Sequence, residues 1–169
     1  MNTLYSKELM KHFRHPQNVG RMKNFDGLGK VGNLLCGDVL WLYIKVGKNK
    51  KGEEIIKKAT FSTFGCTVAI ANSSLITTMV TGKTLKEVMK IKKEDLLKKL
   101  GKVPPFKIHC SLLAVDALSE AIYDYLSKKK RLIPKKLLDR HERIEQAKKL
   151  IEERYKEWIK IEEKMYKEK

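Results

Sequence analysis

Residues 59–82 read ATFSTFGCTVAIANSSLITTMVTG, and none of them carries a formal charge, although 34% of the chain is Asp, Glu, Lys or Arg. A stretch kept free of charge in so charged a chain belongs to the interior of the fold. Its beginning completes a run from Ile55 to Phe64 with strand composition. Its second half repeats Val68, Ala71, Leu75 and Met79 at helical spacing, and Gly82 suits a helix end. The segment therefore predicts a strand, a turn holding Cys66, and the most buried helix of the protein.

Upstream, Val39–Val46 alternates with period two. Leu40, Leu42, Ile44 and Val46 share one face, while Trp41, Tyr43 and Lys45 lie on the other. The turn sequence GKNKKG (47–52) joins this run to the next, which predicts an antiparallel hairpin. Tyr5–Phe13 reads as a short helix broken by RHPQNVG (14–20). Downstream, two short helices are expected at Thr84–Met89 and Lys93–Leu100, followed by Gly101 and Pro104-Pro105. From Ser111, the spacing of Val115, Leu118, Ile122 and Tyr125 predicts an amphipathic helix. Pro134 opens a different segment, in which Leu137, Ile144, Ile151, Trp158 and Met165 recur every seven residues among charges. That seam predicts one long helix. The positions half a heptad on (His141, Lys148, Tyr155, Glu162) are mixed, so the helix can lie along its own domain or against another chain.

The length of 169 residues fits one domain with an appendage, and 42% hydrophobic residues suffice for a core. No run approaches the ~20 apolar residues of a membrane helix, and MNTLYSKELMKHF lacks a signal-peptide hydrophobic region, so the expected location is the cytoplasm. Three widely spaced cysteines argue against a disulfide framework and leave metal binding or thiol reactivity. The net charge of +17 admits a nucleic-acid-binding module. However, the excess is mostly scattered lysine. From Ser127 onward there are 16 basic and 9 acidic residues, a net +7 that leaves +10 for the rest.

The cysteines occupy comparable places. Cys36 stands in a loop entering the first long strand, Cys66 at the strand-to-helix turn, and Cys110 at the helix start after Pro-Pro. A helix start stabilises a thiolate through its dipole and free N–H groups. With Asp38 two residues after Cys36, and His109 directly before Cys110, the chain offers five candidate ligands: Cys36, Asp38, Cys66, His109 and Cys110. Tetrahedral zinc or the irons of a small cluster need four such donors. A Cys–His–Asp hydrolase fits less well, because its nucleophile and base must meet in space while sequence neighbours at a helix start point apart.

The motifs HFRHPQNVG (12–20), CGDVLWLYIKV (36–46), ATFSTFGCTVAIANSSL (59–75), GKTLKEV (82–88) and PPFKIHCSLLAVDALSEAIYDY (104–125) together resemble the IscU/NifU-type iron–sulfur cluster assembly scaffolds, on the IscU branch. The resemblance implies an α+β fold: a small antiparallel sheet of about three strands packed with helices, here with a long C-terminal helix. It divides the chain into a scaffold domain at 1–130 and a charged helical extension at 131–169. It implies that Cys36, Cys66 and Cys110 hold a [2Fe-2S] cluster, with Asp38 or His109 completing the set and Cys110 accepting persulfide sulfur. The implied partners are a cysteine desulfurase, a frataxin-like protein or ferredoxin supplying iron or electrons, and acceptor apoproteins. A DnaK-like chaperone and its co-chaperone would read Pro104, Pro105 and Lys107, which the Pro-Pro pair is expected to present as an extended strand. Such a protein binds and transfers rather than turns over. A zinc protein using the same ligands, with Zn²⁺ structural or regulatory, is the alternative, and self-association stays open.

Overall fold

The computed structural model describes residues 4–33 and 37–167, with the backbone alone for 154, 155 and 157–167. In chain order the elements are α1 (Lys7–Arg14), β1 (Gly27–Gly32), β2 (Val39–Lys48), β3 (Glu54–Phe64), α2 (Thr67–Val80), α3 (Leu85–Val88), α4 (Lys93–Leu100), a 3-10 turn (Pro105–Lys107), α5 (His109–Lys128) and α6 (Lys135–Lys167). The three strands form one antiparallel sheet in the order β1-β2-β3, so the α+β class and the long C-terminal helix are as expected.

The hairpin is the one the alternation predicts. Leu40, Leu42 and Ile44 are buried on one face of β2, which pairs with β3 from Val39↔Phe64 to Lys48↔Glu54, with a register shift between Lys45 and Val46. Its turn closes on Asn49, whose Oδ1 accepts the N–H groups of Lys51 and Glu53, both at 2.9 Å. That Asx geometry explains the asparagine between lysines. The uncharged segment continues into α2, which buries ten of its fourteen residues. Its buried hydroxyls turn back on the helix, as Ser73 donates to the Ala69 carbonyl and Thr77 to that of Ser74, each at 2.8 Å.

Residue alternation in the sequence does not mark β1. GLGKVG lacks the branched alternation of a strand, and the reason lies in what covers it. Helix α5 lies so close that a Cβ on Gly27 would stand 2.1 Å from the Ala121 carbonyl oxygen, and one on Gly29 would stand 1.8 Å from that of Ala117. Only glycine permits the contact. This fixes α5 along β1, with Val115, Leu118 and Ile122 in the core.

The described part of the seam packs against the rest of the chain. Leu137 and Ile144 are 7% and 6% exposed, and Ile151 is half-buried; the side chains of Trp158 and Met165 lie outside the described residues. The half-heptad positions His141 and Lys148 are polar because they meet Glu120 of α5, not a second apolar stripe.

Gly29→Ala should lower the melting temperature by about 10 °C in a circular-dichroism melt, because backbone must move to admit the methyl group. Gly52→Ala, with nothing within 4 Å of the added carbon and only its φ of +78° to strain, should cost less than half of that. Equal losses would show that α5 does not depend on the close approach.

Candidate metal centre

Three chain segments converge at one end of the sheet. Asp38 immediately precedes β2, Cys66 is the residue capping the start of α2, and Cys110 is the second residue of α5. One ligand atom from each lies within 4.8 Å of the others. The sulfurs of Cys66 and Cys110 are 3.5 Å apart. Two sulfurs bound to one tetrahedral ion at about 2.3 Å each would stand about 3.8 Å apart, so the pair is nearly at ligating separation.

Asp38 is buried and holds the arrangement together. Its Oδ1 accepts the backbone N–H of Cys66 at 3.1 Å, and its Oδ2 lies 3.5 Å from the Cys110 sulfur, whose thiol can donate to it. Since Cys66 offers no side-chain cap of its own, the aspartate just before β2 satisfies one of the free donors of α2. Gly65 leaves room for this. A Cβ there would stand 3.2 Å from the Asp38 carboxyl carbon, a constraint not visible in the spacing of candidate ligands. The positive φ of Gly37, +70°, turns the chain into Asp38.

Of the five candidate ligands, the structure thus brings together Asp38, Cys66 and Cys110. Cys36 lies outside the described residues. His109 is not one of the three converging groups, but its Nε2 is buried and, among the described residues, has no hydrogen-bond partner. A buried ring nitrogen without a partner is costly and calls for one.

The Pro-Pro segment differs from expectation. Pro104 is extended (φ −56°, ψ 137°) but buried, and Pro105–Lys107 forms a 3-10 turn closed by the Lys107 N–H on the Pro104 carbonyl at 2.9 Å. Proline is well suited to a first helical position, so Pro105 starts the turn instead of prolonging a strand. The exposed residues there are Pro105 and Phe106.

The electrostatics favour a thiolate. The hydrogen bond with Cys110 pulls the Cys66 thiol down to about 6, aided by the N–H groups of Ala69 and Val68; partial burial and the Asp38 carboxylate oppose it. Lys107 responds in kind. Its ammonium is held above its ordinary range chiefly by the Cys66 thiolate, with burial opposing and Cys110 and Asp38 adding to the rise.

Residues 4–132 match the NifU-like N-terminal domain family. The chain belongs to that family. It is 46% identical over 125 residues to the iron-sulfur cluster assembly scaffold protein IscU 1 of Archaeoglobus fulgidus, covering 74% of this chain and 78% of that protein. It is 48% identical over 128 residues to the iron-sulfur cluster assembly scaffold protein IscU of Escherichia coli K12, covering 74% and 96% respectively. A solved structure of a nitrogen-fixing NifU-like protein (N-terminal) from Brucella abortus superposes with a TM-score of 0.58, covering 74% of this chain and 96% of that one. At 19% identity it speaks for the fold alone. The family match ends before α6. Among the described residues no helix is long and apolar enough to cross a membrane.

Alkylation of Cys66 by iodoacetamide in the metal-free protein, located by mass spectrometry, should titrate with a midpoint near 6. In Cys110→Ala the midpoint should rise toward the ordinary thiol range, since the dominant stabilising bond is gone. A midpoint that stays put in the variant would refute the shared proton.

Proposed function

We propose that this protein is a scaffold on which an iron–sulfur cluster, of the [2Fe-2S] type, is built and then handed to acceptor apoproteins. The single observation that carries the reading is the convergence of Asp38, Cys66 and Cys110 at the end of the sheet. The cluster is cargo here, and the donor set suits cargo. Thiolates bind iron well, whereas a carboxylate is a harder and more exchangeable ligand. Cys36, one residue before Gly37, supplies the third thiolate in this reading, and His109, with its unpartnered Nε2, is the alternative fourth donor to Asp38.

Sulfur delivery follows from thiol chemistry. A cysteine desulfurase presents a persulfide, and the Cys110 thiolate attacks its outer sulfur. One S–S bond forms on Cys110 as the donor's S–S bond breaks, and the donor leaves as its thiolate. Converting that sulfur to sulfide takes two electrons, which a ferredoxin-class donor supplies, while iron arrives with a frataxin-like carrier. Lys107, beside the thiols, offers a positive charge to the incoming anionic persulfide. Pro105 and Phe106, exposed, and the half-buried Lys107 form the turn that a DnaK-like chaperone, with its co-chaperone, would read; Pro104 lies beneath it. The domain that does this spans 1–130, and 131–169 is an addition to it.

Zinc is the second reading. The near-tetrahedral separation of the two sulfurs suits Zn²⁺ as well as iron, so the isolated protein is expected to carry zinc when it is prepared without iron and sulfide.

Alanine at Cys36, Cys66 or Cys110 should each abolish stable cluster assembly; full assembly in any one of these variants would sink the shared-site reading. Asp38→Ala should still assemble the cluster but pass it to an apo-ferredoxin several-fold more slowly, followed by visible circular dichroism. Faster loss from the variant would mean that Asp38 anchors the cluster instead of easing its release.

A further inference from the structure

Helix α6 lies outside the stretch matched to the family, yet it is fastened to the scaffold domain along its whole described face. Its attachments run antiparallel to α5. Arg140 Nη1 donates to Ser119 Oγ at 2.8 Å, and His141 Nδ1 lies 3.0 Å from Glu120 while its ring stacks on Tyr123. One turn on, Arg143 reaches back to Asp116 at 3.2 Å. Leu137 and Ile144 are buried between these polar contacts. The next residue of the seven-residue seam is Ile151, and here α6 leaves α5 for the sheet.

Ile151 meets the end of β1. A Cβ built on Gly32 would lie 3.7 Å from Ile151 Cδ1, 3.6 Å from Val39 Cγ1 and 3.8 Å from the Asp38 carbonyl oxygen. Gly32 is the last residue of β1, an edge strand, and it pairs with Val39, the residue directly after Asp38. The Asn33 N–H closes this end by donating to the Asp38 carbonyl at 2.9 Å, and the Gly37 N–H donates to the Asn33 carbonyl at 2.9 Å. The end of an edge strand frays at small cost, since few apolar contacts hold it. Ile151 is such a contact, supplied from outside the family domain, and it lands on the rung next to a site residue, Asp38.

We propose that α6 is a brace for the metal centre. Ile151, seated on Gly32, holds the Gly32–Val39 rung closed, keeps the end of the sheet beside the thiols from opening, and thereby slows departure of the cluster. Ile151 is a positioning residue that acts through the backbone of Gly32 and Val39. The inference rests on the scaffold reading of the site for its consequence, but not for its test.

The test uses the full chain carrying Ile151→Ala, Ile151→Leu and, as a control one residue away on an exposed face, Leu150→Ala. Native-state hydrogen exchange on the metal-free protein should show Asn33 and Gly37 amides exchanging about tenfold faster in Ile151→Ala, with amides of the α2 interior unchanged. Ile151→Leu should restore slow exchange, and Leu150→Ala should leave it alone. In the cluster-loaded protein, Ile151→Ala should take up as much iron and sulfide as wild type and lose it to a chelator several-fold faster. Unchanged exchange at Asn33 and Gly37 overturns the brace, as does a uniform rise at every amide, which would report general destabilisation. If wild type assembles no cluster, the scaffold reading falls while exchange still decides the brace. If wild type assembles one and exchange is unmoved, the brace alone falls.

Discussion

How closely α5 lies on β1 determines everything at the site end of the molecule. With Gly27 and Gly29 beneath Ala121 and Ala117, the helix backbone rests on the strand with no side chain between them. That contact sets the height of α5 over the sheet and so the position of its second residue, Cys110. A strand bearing ordinary side chains would lift α5 and separate Cys110 from Asp38 and Cys66. The 3.5 Å spacings at the site therefore descend from a packing choice made at residues that carry no chemistry.

The site itself concentrates negative charge. Two thiols and a carboxylate meet with Asp38 and Cys110 buried, which is costly for ionised groups unless partners are at hand. The structure answers with the free N–H groups at the start of α2, the N-terminal end of α5 and the Lys107 ammonium. With the hydrogen bond from Cys110, they hold the Cys66 thiol down to about 6. A bound cation would relieve the remainder. An arrangement that needs its cation but includes a carboxylate among its donors is suited to holding metal for a time and releasing it.

Much of this was legible in the sequence. The charge-free stretch from Ala59 to Gly82 marks the buried strand and helix, alternation marks the hairpin, and each of Cys66 and Cys110 falls at the helix start that reading assigns it. Other features were not, for physical reasons. Strand β1 escapes because its pattern is an i, i+2 pair of glycines dictated by a helix almost a hundred residues away; that pairing is the signal that could have found it. The Pro-Pro segment reads as extended until a local hydrogen bond folds it into a turn. The polar anchors Asp116 and Glu120 look like the solvent face of an amphipathic helix, since their partners among the described residues, Arg140, Arg143, His141 and Lys148, come from the docked tail. Burial drives the Asp116 and Glu120 carboxyl groups upward, and those basic partners oppose it, so the tail is bound to its domain by charge as well as by Leu137 and Ile144.

The proposed role requires that the converging thiols carry a transferable cluster. The most direct measurement is iron and acid-labile sulfide per chain after anaerobic reconstitution with a desulfurase, cysteine and ferrous iron, repeated after incubation with an apo-ferredoxin and re-separation. About two irons and two sulfides per chain are expected at first, in line with a two-iron cluster on a single site, and their appearance on the ferredoxin afterwards. Zinc retained at about one ion per chain throughout, with no labile sulfide under any of these conditions, would contradict that role.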